Sequence, residues 1–393
     1  MIKALFWFLL FCQGHLLARD VYVHLFVHGT TLPGFLLLSQ AHDKPVKYDD
    51  KYVSFIEKSR NDTRFYDDSI MLDCGLVPIS SQLVSNCKKG TLDSWQSRRA
   101  AIQAIAAYDD FVDHTHEHYY FVYGWSGLLS DDYRKKEAGK LYNELVIVKN
   151  RLRERFGKEP IFIAHGHSHG ANIILYLAYQ EELQRQKLCF EHVMLYEMPV
   201  QTETAHYAKN PMFKYVSLLY SNGDSIQIAD SFSTAGGKSY RTFSDLIEIN
   251  DAPNKIQEVL VTMNGDRKAL PHRSYFFFDA YFGLSTVYKN LFGKNAATAF
   301  LNPLPLVVLS PVFMWLLQTS VRTNACSCVL NIGFNGNTCA VDLDAEQAAK
   351  KYSANLFSMI NEIKNRLALY WEPYAKTSDV KKLFWMGQHI IMR

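Results

Sequence analysis

The stretch Pro160–Gln184, PIFIAHGHSHGANIILYLAYQEELQ, joins two apolar runs through a turn bounded by glycines. Pro160–His165 has the length and composition of a buried strand, and Ala171–Gln184 has the length of a four-turn helix. Only Gly166-His167-Ser168-His169-Gly170 lies between them, so the strand must turn almost directly into the helix. Glycine on either side of such a turn keeps it free of side-chain clashes, and the serine is pushed out beyond the strand end.

Working outward, the same alternation recurs. Val21–Val27, Tyr119–Tyr123, His192–Tyr196, Tyr215–Tyr220 and Glu258–Met263 read as strands, while 95–112 and Lys135–Phe156 have helical spacing. Strands alternating with helices predict parallel βαβ units, hence an α/β class with a doubly wound, mostly parallel sheet. A polar, irregular insertion is expected over about 40–93. Beyond about 285 the pattern changes to an apolar segment at 300–317, a hairpin at 328–343 turning at Asn335-Gly336, and a long amphipathic helix at 345–369. The expected organisation is a signal segment at 1–18, a main domain at 19–285 and a C-terminal apolar and helical extension at 286–393.

The 393 residues are 48% apolar and 21% charged, which excludes a disordered tail, a collagen-like fibre and a coiled-coil rod. Lys plus Arg number 42 against 39 for Asp plus Glu, and no dense basic run occurs, so a nucleic-acid partner is not expected. Lys3 followed by the apolar run Ala4–Cys12 and a small residue at Ala18 reads as an export signal, too short to span a bilayer. Export to a periplasmic or extracellular space permits disulfides among the six remaining cysteines. Local bridges are preferred, Cys74 with Cys87 and a pair among Cys326, Cys328 and Cys339, with buried thiols as the alternative.

On the GHSHG turn and its flanking strand and helix, the chain resembles the α/β-hydrolase family in its lipase and esterase form. The resemblance covers about residues 21–280 and implies a serine nucleophile, an acid and a histidine in that chain order. Carried onto this sequence, it implies Ser168 as nucleophile, Asp224 after the strand Tyr215–Tyr220 as the orienting carboxylate, and His272 after Glu258–Met263 as the base. Asp230 and Asp251 stand in reserve for the acid, and His206 is the rival histidine. His28-Gly29-Thr30 matches the turn that supplies half of an oxyanion hole, so Thr30 and His169 are the expected backbone donors. Trp125-Ser126-Gly127 either lines the cleft or packs beneath it.

The resemblance implies an exported serine hydrolase that cleaves a small-molecule or lipid ester without a cofactor. Acyl transfer to another acceptor, thioester cleavage and a non-catalytic, membrane-associated binding role are the alternatives. His114, His116 and His118 alternate as metal ligands on a strand would, but no carboxylate accompanies them and no metal site is expected. For 300–317, with Pro303, Pro305 and Pro311 interrupting it, a surface lid contacting lipid, simple burial and a membrane span are all open readings.

Overall fold

Alternating burial organises this molecule, because successive side chains of a strand point to opposite faces of the sheet. The computed structural model describes residues 19–29, 75–91, 100–125, 127, 130–224, 226–229, 234, 236–252, 255–263, 310–321, 327–335, 338–344 and 350–354. In chain order the elements are β1 (Val21–Val27), β2 (Gly75–Ile79), α1 (Ser81–Lys88), α2 (Ala100–Asp109), β3 (Glu117–Gly124), α3 (Asp131–Phe156), β4 (Ile161–His167) and α4 (His169–Gln184). There follow β5 (Phe190–Tyr196), α5 (Thr202–Ala205) with a 3-10 turn at His206–Lys209, β6 (Phe213–Tyr220), α6 (Ile226–Ala229), β7 (Lys255–Met263), α7 (Ser310–Val321), β8 (Ser327–Asn335), β9 (Thr338–Asp344) and β10 (Lys350–Ala354).

The strands form one sheet in the order β2-β3-β1-β4-β5-β6-β7-β8-β9-β10. From β3 to β8 every neighbouring pair is parallel, while the β2–β3, β8–β9 and β9–β10 pairs are antiparallel. This is an α/β architecture. The chain steps from β1 outward to β3 and then returns past β1 to β4, so the strand order reverses between β1 and β4. In open α/β sheets the crevice outside the strand carboxyl ends at such a reversal is the usual ligand site.

One face of the sheet is apolar. Val23 and Leu25 of β1, Phe162 of β4 and Val193 of β5 are buried with Leu141 and Leu145 of α3 and with Ile174 of α4 in one cluster. Burying each such side chain contributes about 1.5–3 kcal/mol. Helix α3 starts four residues before the expected Lys135, because the Ser130 hydroxyl accepts the Tyr133 N–H at 3.3 Å and caps it. It ends at Gly157, whose left-handed φ of 72° lets its N–H reach the Arg153 carbonyl at 2.8 Å.

The opposite face carries a hydrogen-bonded row that starts at the surface and runs through buried His24, Tyr108, His165 and Tyr196. Asp113 offers a backbone carbonyl that His118 Nε2 approaches at 2.9 Å, and a carbonyl only accepts. His118 Nε2 is therefore the donor, which leaves Nδ1 to accept from His24 Nε2 at 2.9 Å. His24 Nδ1 then accepts from the Tyr108 hydroxyl at 2.9 Å, and Tyr108 accepts from His165 Nε2 at 3.1 Å. Next, His165 Nδ1 accepts from the Tyr196 hydroxyl at 3.4 Å, and Tyr196 is bonded in turn to Ser310 at the start of α7. With every imidazole neutral, the terminal carbonyl fixes one direction of donation along the whole row. Tyr108 belongs to α2, so the row ties both α2 and α7 to the sheet.

Several expectations change. The insertion at 40–93 is not irregular throughout, since it contains edge strand β2 and helix α1, capped by Ser80. Lys350–Ala354 pairs with β9 as a strand, so the amphipathic helix does not begin at 345. The sheet also runs on past residue 286, with β8 parallel to β7. Cys189 and Cys328 are thiols, which overturns any bridge through Cys328, while the expected partner of Cys87, Cys74, lies outside the described residues. Burial pushes the Cys328 thiol up to about 12, so it behaves as a small apolar side chain. Of the apolar segment, Ser310–Leu317 lies in α7, with Pro311 in the first turn, where its missing N–H costs nothing. Phe313, Met314, Leu316 and Leu317 are buried and Trp315 is 48% exposed. Among the described residues no helix is long and apolar enough to cross a membrane. The remainder of that segment, the signal at 1–18 and residues 355–369 lie outside the described residues.

Burial holds the imidazole of His165 down to about 3 and that of His192 to about 4, and holds His24 well below its ordinary value. The unfolded chain takes up these protons near 6.5, so the stability they confer is whole above about pH 7 and is withdrawn as pH falls below 6.5. In His165→Gln, which keeps one donor and one acceptor, the unfolding free energy should fall with pH less steeply than in wild type, by about 1.4 kcal/mol per pH unit across the acid range. Urea unfolding between about pH 4.5 and 6.5 measures that slope. Equal slopes in the two proteins would refute the neutral row.

Candidate active site

Strand β4 runs to His167 and α4 starts at His169, so Ser168 alone makes the turn. Its backbone takes φ 51° and ψ −128°, a conformation that costs a residue with a Cβ about 1–3 kcal/mol. What holds it there is packing on every side. The Ser168 N–H extends the β4–β5 ladder to the Tyr196 carbonyl at 2.9 Å, and the Ser168 carbonyl accepts the Ala171 N–H at 3.0 Å. A Cβ placed on Gly170 would stand 2.2 Å from the His28 carbonyl oxygen and 2.6 Å from that of Val27. At Gly166 it would stand 2.7 Å from Ala171 Cα. The glycines are there because the end of β1, the end of β4 and the first turn of α4 occupy nearly the same space.

The turn after β1 abuts the serine. A Cβ on Gly29 would lie 2.8 Å from Ser168 Cβ and 3.0 Å from His167 Nδ1. His28 anchors this turn in one tautomer: its Nδ1–H donates to the Gly29 carbonyl at 2.7 Å, and its Nε2 accepts the Trp125 N–H at 3.3 Å. The indole of Trp125 is fully buried, stacks on the His28 ring at 5.6 Å and donates to the His28 carbonyl at 2.8 Å. Trp125 therefore packs beneath the turn rather than lining a cleft. His169 is the first residue of α4, where the backbone N–H groups and the helix dipole favour negative charge.

Two carboxyl groups sit at the next strand ends. Asp224 follows β6 in the turn Ser221–Asp224 and is wholly buried. One of its carboxyl oxygens accepts the Gln227 N–H at 3.0 Å, and its carbonyl accepts from Arg241 Nη2 at 2.6 Å. Glu197 follows β5, is equally buried, and places Oε2 3.9 Å from His167 Nε2. Burial, then the charge of Asp224, holds the Glu197 carboxyl well above the usual carboxylate range. Sequence reading missed Glu197. Its signal was an acid directly after the apolar run His192–Tyr196, the same position after β5 that Ser168 holds after β4.

Ser168, His169 and the Gly29 turn are therefore brought together at the strand-order reversal, with Asp224 two strands along. Thr30, His272 and Asp230 lie outside the described residues. Asp251 is exposed and paired with Lys209 at 2.6 Å, and His206 is exposed on the 3-10 turn against α4 with its ring on Tyr207. Neither belongs to the strand ends. His118 is engaged in the buried row, and His116 lies against the Tyr22 ring at 5.3 Å. Among the described residues no group of His, Cys, Asp and Glu side chains is arranged to hold a metal ion. No protein-family model, curated protein or solved structure matches the chain.

The packing around the serine turn makes a quantitative expectation. Gly170→Ala should destabilise the protein by at least the roughly 1–3 kcal/mol of an overpacked core, because the neighbours are backbone and cannot rotate away. Gly139→Ala, in the middle of α3 with only the Gln180 side chain at 3.5 Å, should instead be neutral or stabilising by up to about 1 kcal/mol. Paired urea unfolding curves test both.

Proposed function

We propose that this chain is an exported serine hydrolase of the α/β-hydrolase type, cleaving ester bonds of a hydrophobic, lipid-like substrate through an acyl-enzyme on Ser168. The single observation that carries the reading is the strained backbone of Ser168, a lone residue between strand and helix at the reversal of strand order. Strain of this kind is retained where the side chain is needed. Parallel strand order supports it too, with the serine after β4, an acid after β6 and His272 downstream of β7, the chain order of that family.

In this reading the Ser168 Oγ attacks the ester carbonyl carbon while His272 accepts its proton. Negative charge builds on the carbonyl oxygen, and the backbone N–H groups of Thr30 and His169 hold it, each such donor contributing about 2.7–4 kcal/mol to the transition state. Asp224 orients the imidazole and stabilises its charged form. The tetrahedral intermediate collapses, the alcohol leaves with the proton from His272, and water repeats the sequence on the acyl-enzyme. An apolar substrate is favoured by the aromatic content of the chain and by Trp315, which is 48% exposed on α7.

Hydrolysis of short- and long-chain p-nitrophenyl esters by the mature chain should be lost by about 10⁴-fold or more in Ser168→Ala. A fluorophosphonate probe should label wild type at Ser168 and leave the variant unlabelled. A preference for long chains points to a lipid substrate, and added alcohol or thiol acceptors separate transfer from hydrolysis. Absence of both turnover and labelling in the wild type would defeat the proposal.

A further inference from the structure

Beside Asp224 lies a buried amide whose bonds reach well beyond its own helix. Gln227 sits in the short helix α6 and is wholly buried. Its N–H donates to an Asp224 carboxyl oxygen at 3.0 Å, and its carbonyl accepts the Ser239 hydroxyl at 2.9 Å. The side-chain Nε2 donates to the Met198 carbonyl at 2.7 Å and to the Arg241 carbonyl at 3.0 Å. Two carbonyl oxygens in front of one end of the amide settle its orientation, since the reversed amide would set oxygen against oxygen.

These bonds close a ring. Asp224 receives the Gln227 N–H, Gln227 reaches the Arg241 carbonyl, and Arg241 Nη2 returns to the Asp224 carbonyl at 2.6 Å. Arg241 is steadied by its neighbour, because Tyr240 and Val200 exchange both backbone hydrogen bonds, at 2.8 and 2.9 Å. The Met198 bond carries the ring to β5. Met198 stands two residues after Tyr196, whose carbonyl holds the Ser168 N–H at 2.9 Å. One side chain thus fastens the turn that carries the acid to the segment that grips the serine. Capping of α6 accounts for the N–H bond to Asp224 alone. It does not account for the two side-chain bonds, which end on other segments of the chain.

We propose that Gln227 is a positioning residue of the site: its buried amide clamps the Asp224 turn to the segment after β5 that anchors Ser168. The role rests on the hydrolase reading, in which Gln227 acts through Asp224 and Asp224 orients the histidine. Misplacement of a catalytic group by about 1 Å costs on the order of 10²-fold in rate, so a clamp at this distance from the chemistry matters.

The test compares the full chain with Gln227→Leu, Asp224→Asn and the double variant, by p-nitrophenyl ester hydrolysis and by amide hydrogen exchange. Gln227→Leu should lose about 10²-fold in kcat while KM stays within about threefold, because substrate contacts are untouched. Added to Asp224→Asn, the same change should cost no more than about twofold, since the carboxylate it positions is already gone. Equal losses in the two backgrounds are what a merely structural role gives, and they overturn the proposal. Exchange supplies a readout independent of activity. In Gln227→Leu the N–H groups of residue 227, Val200 and Tyr240 should exchange at least about tenfold faster, while those of β4 keep their wild-type rates. Unchanged exchange at those three positions overturns the clamp even where activity falls. Arg241→Met breaks the same ring at a partly exposed side chain and should show the same pattern at smaller size, which decides the matter if Gln227→Leu does not fold. If no form cleaves an ester, the hydrolase reading fails while exchange still decides whether Gln227 clamps the Asp224 turn.

Discussion

Where the end of β1 meets the first turn of α4, the backbone carbonyls of Val27 and His28 come so close to Gly170 that no methyl group fits between them. That contact sets how near the two strands at the order reversal stand to the helix between β4 and β5. It leaves a single residue, Ser168, to reverse the chain, and so forces the serine into a conformation that nothing local favours. The turn after β1 is held against it from below, where the Trp125 indole N–H grips the same His28 carbonyl that Gly170 approaches. Strain at Ser168 is thus borne by the packing of β1, β4 and α4, which are among the most buried parts of the molecule.

The two faces of the sheet solve burial differently. On the α3 and α4 side, ordinary apolar alternation supplies the stability. On the other side His24, His165, Tyr108 and Tyr196 place ring nitrogens and hydroxyls where no water reaches, which is costly unless each is bonded. Each is bonded, and the bonds point one way because the last acceptor is a backbone carbonyl. A row of this kind specifies which helices cover the face more sharply than apolar contact does, since an apolar surface slides and a hydrogen bond does not. It also reaches the site, for Tyr196, which anchors α7 through Ser310, is the residue whose carbonyl holds the Ser168 N–H.

Strand carboxyl ends are where this architecture gathers polar groups without breaking its core. Successive parallel strands β4, β5 and β6 deliver Ser168, Glu197 and Asp224 in adjacent positions, each in or beside a turn that departs from the ladder. Both acids are wholly buried, and Glu197 stands 3.9 Å from His167.

Much of this was legible in the chain. Apolar runs of strand length alternating with helical spacing give the α/β class, because burial periodicity is a local property of sequence. GHSHG marks the sharp turn, since glycine spacing reports steric crowding wherever it occurs. Local chemistry also governs the start of α3 at Ser130, although the apolar spacing that suggested Lys135 carries no information about caps. Other features depended on partners distant in sequence. Histidines scattered over β1, β3 and β4 read separately as surface or ligand candidates, and only the pairing of those strands makes one row of them. Cys328 looked like a half-cystine because spacing along the chain is not distance in space. The strand at Lys350–Ala354 exists because a sheet edge was available to pair with. Glu197 was an acid after a strand until the fold put it, buried and in a left-handed backbone, 3.9 Å from His167. Sequence by itself determined the elements and the serine turn, which follow from local sterics and periodicity. The tertiary structure alone decided which buried polar groups meet, because burial and neighbouring charge are set by residues far apart in the chain.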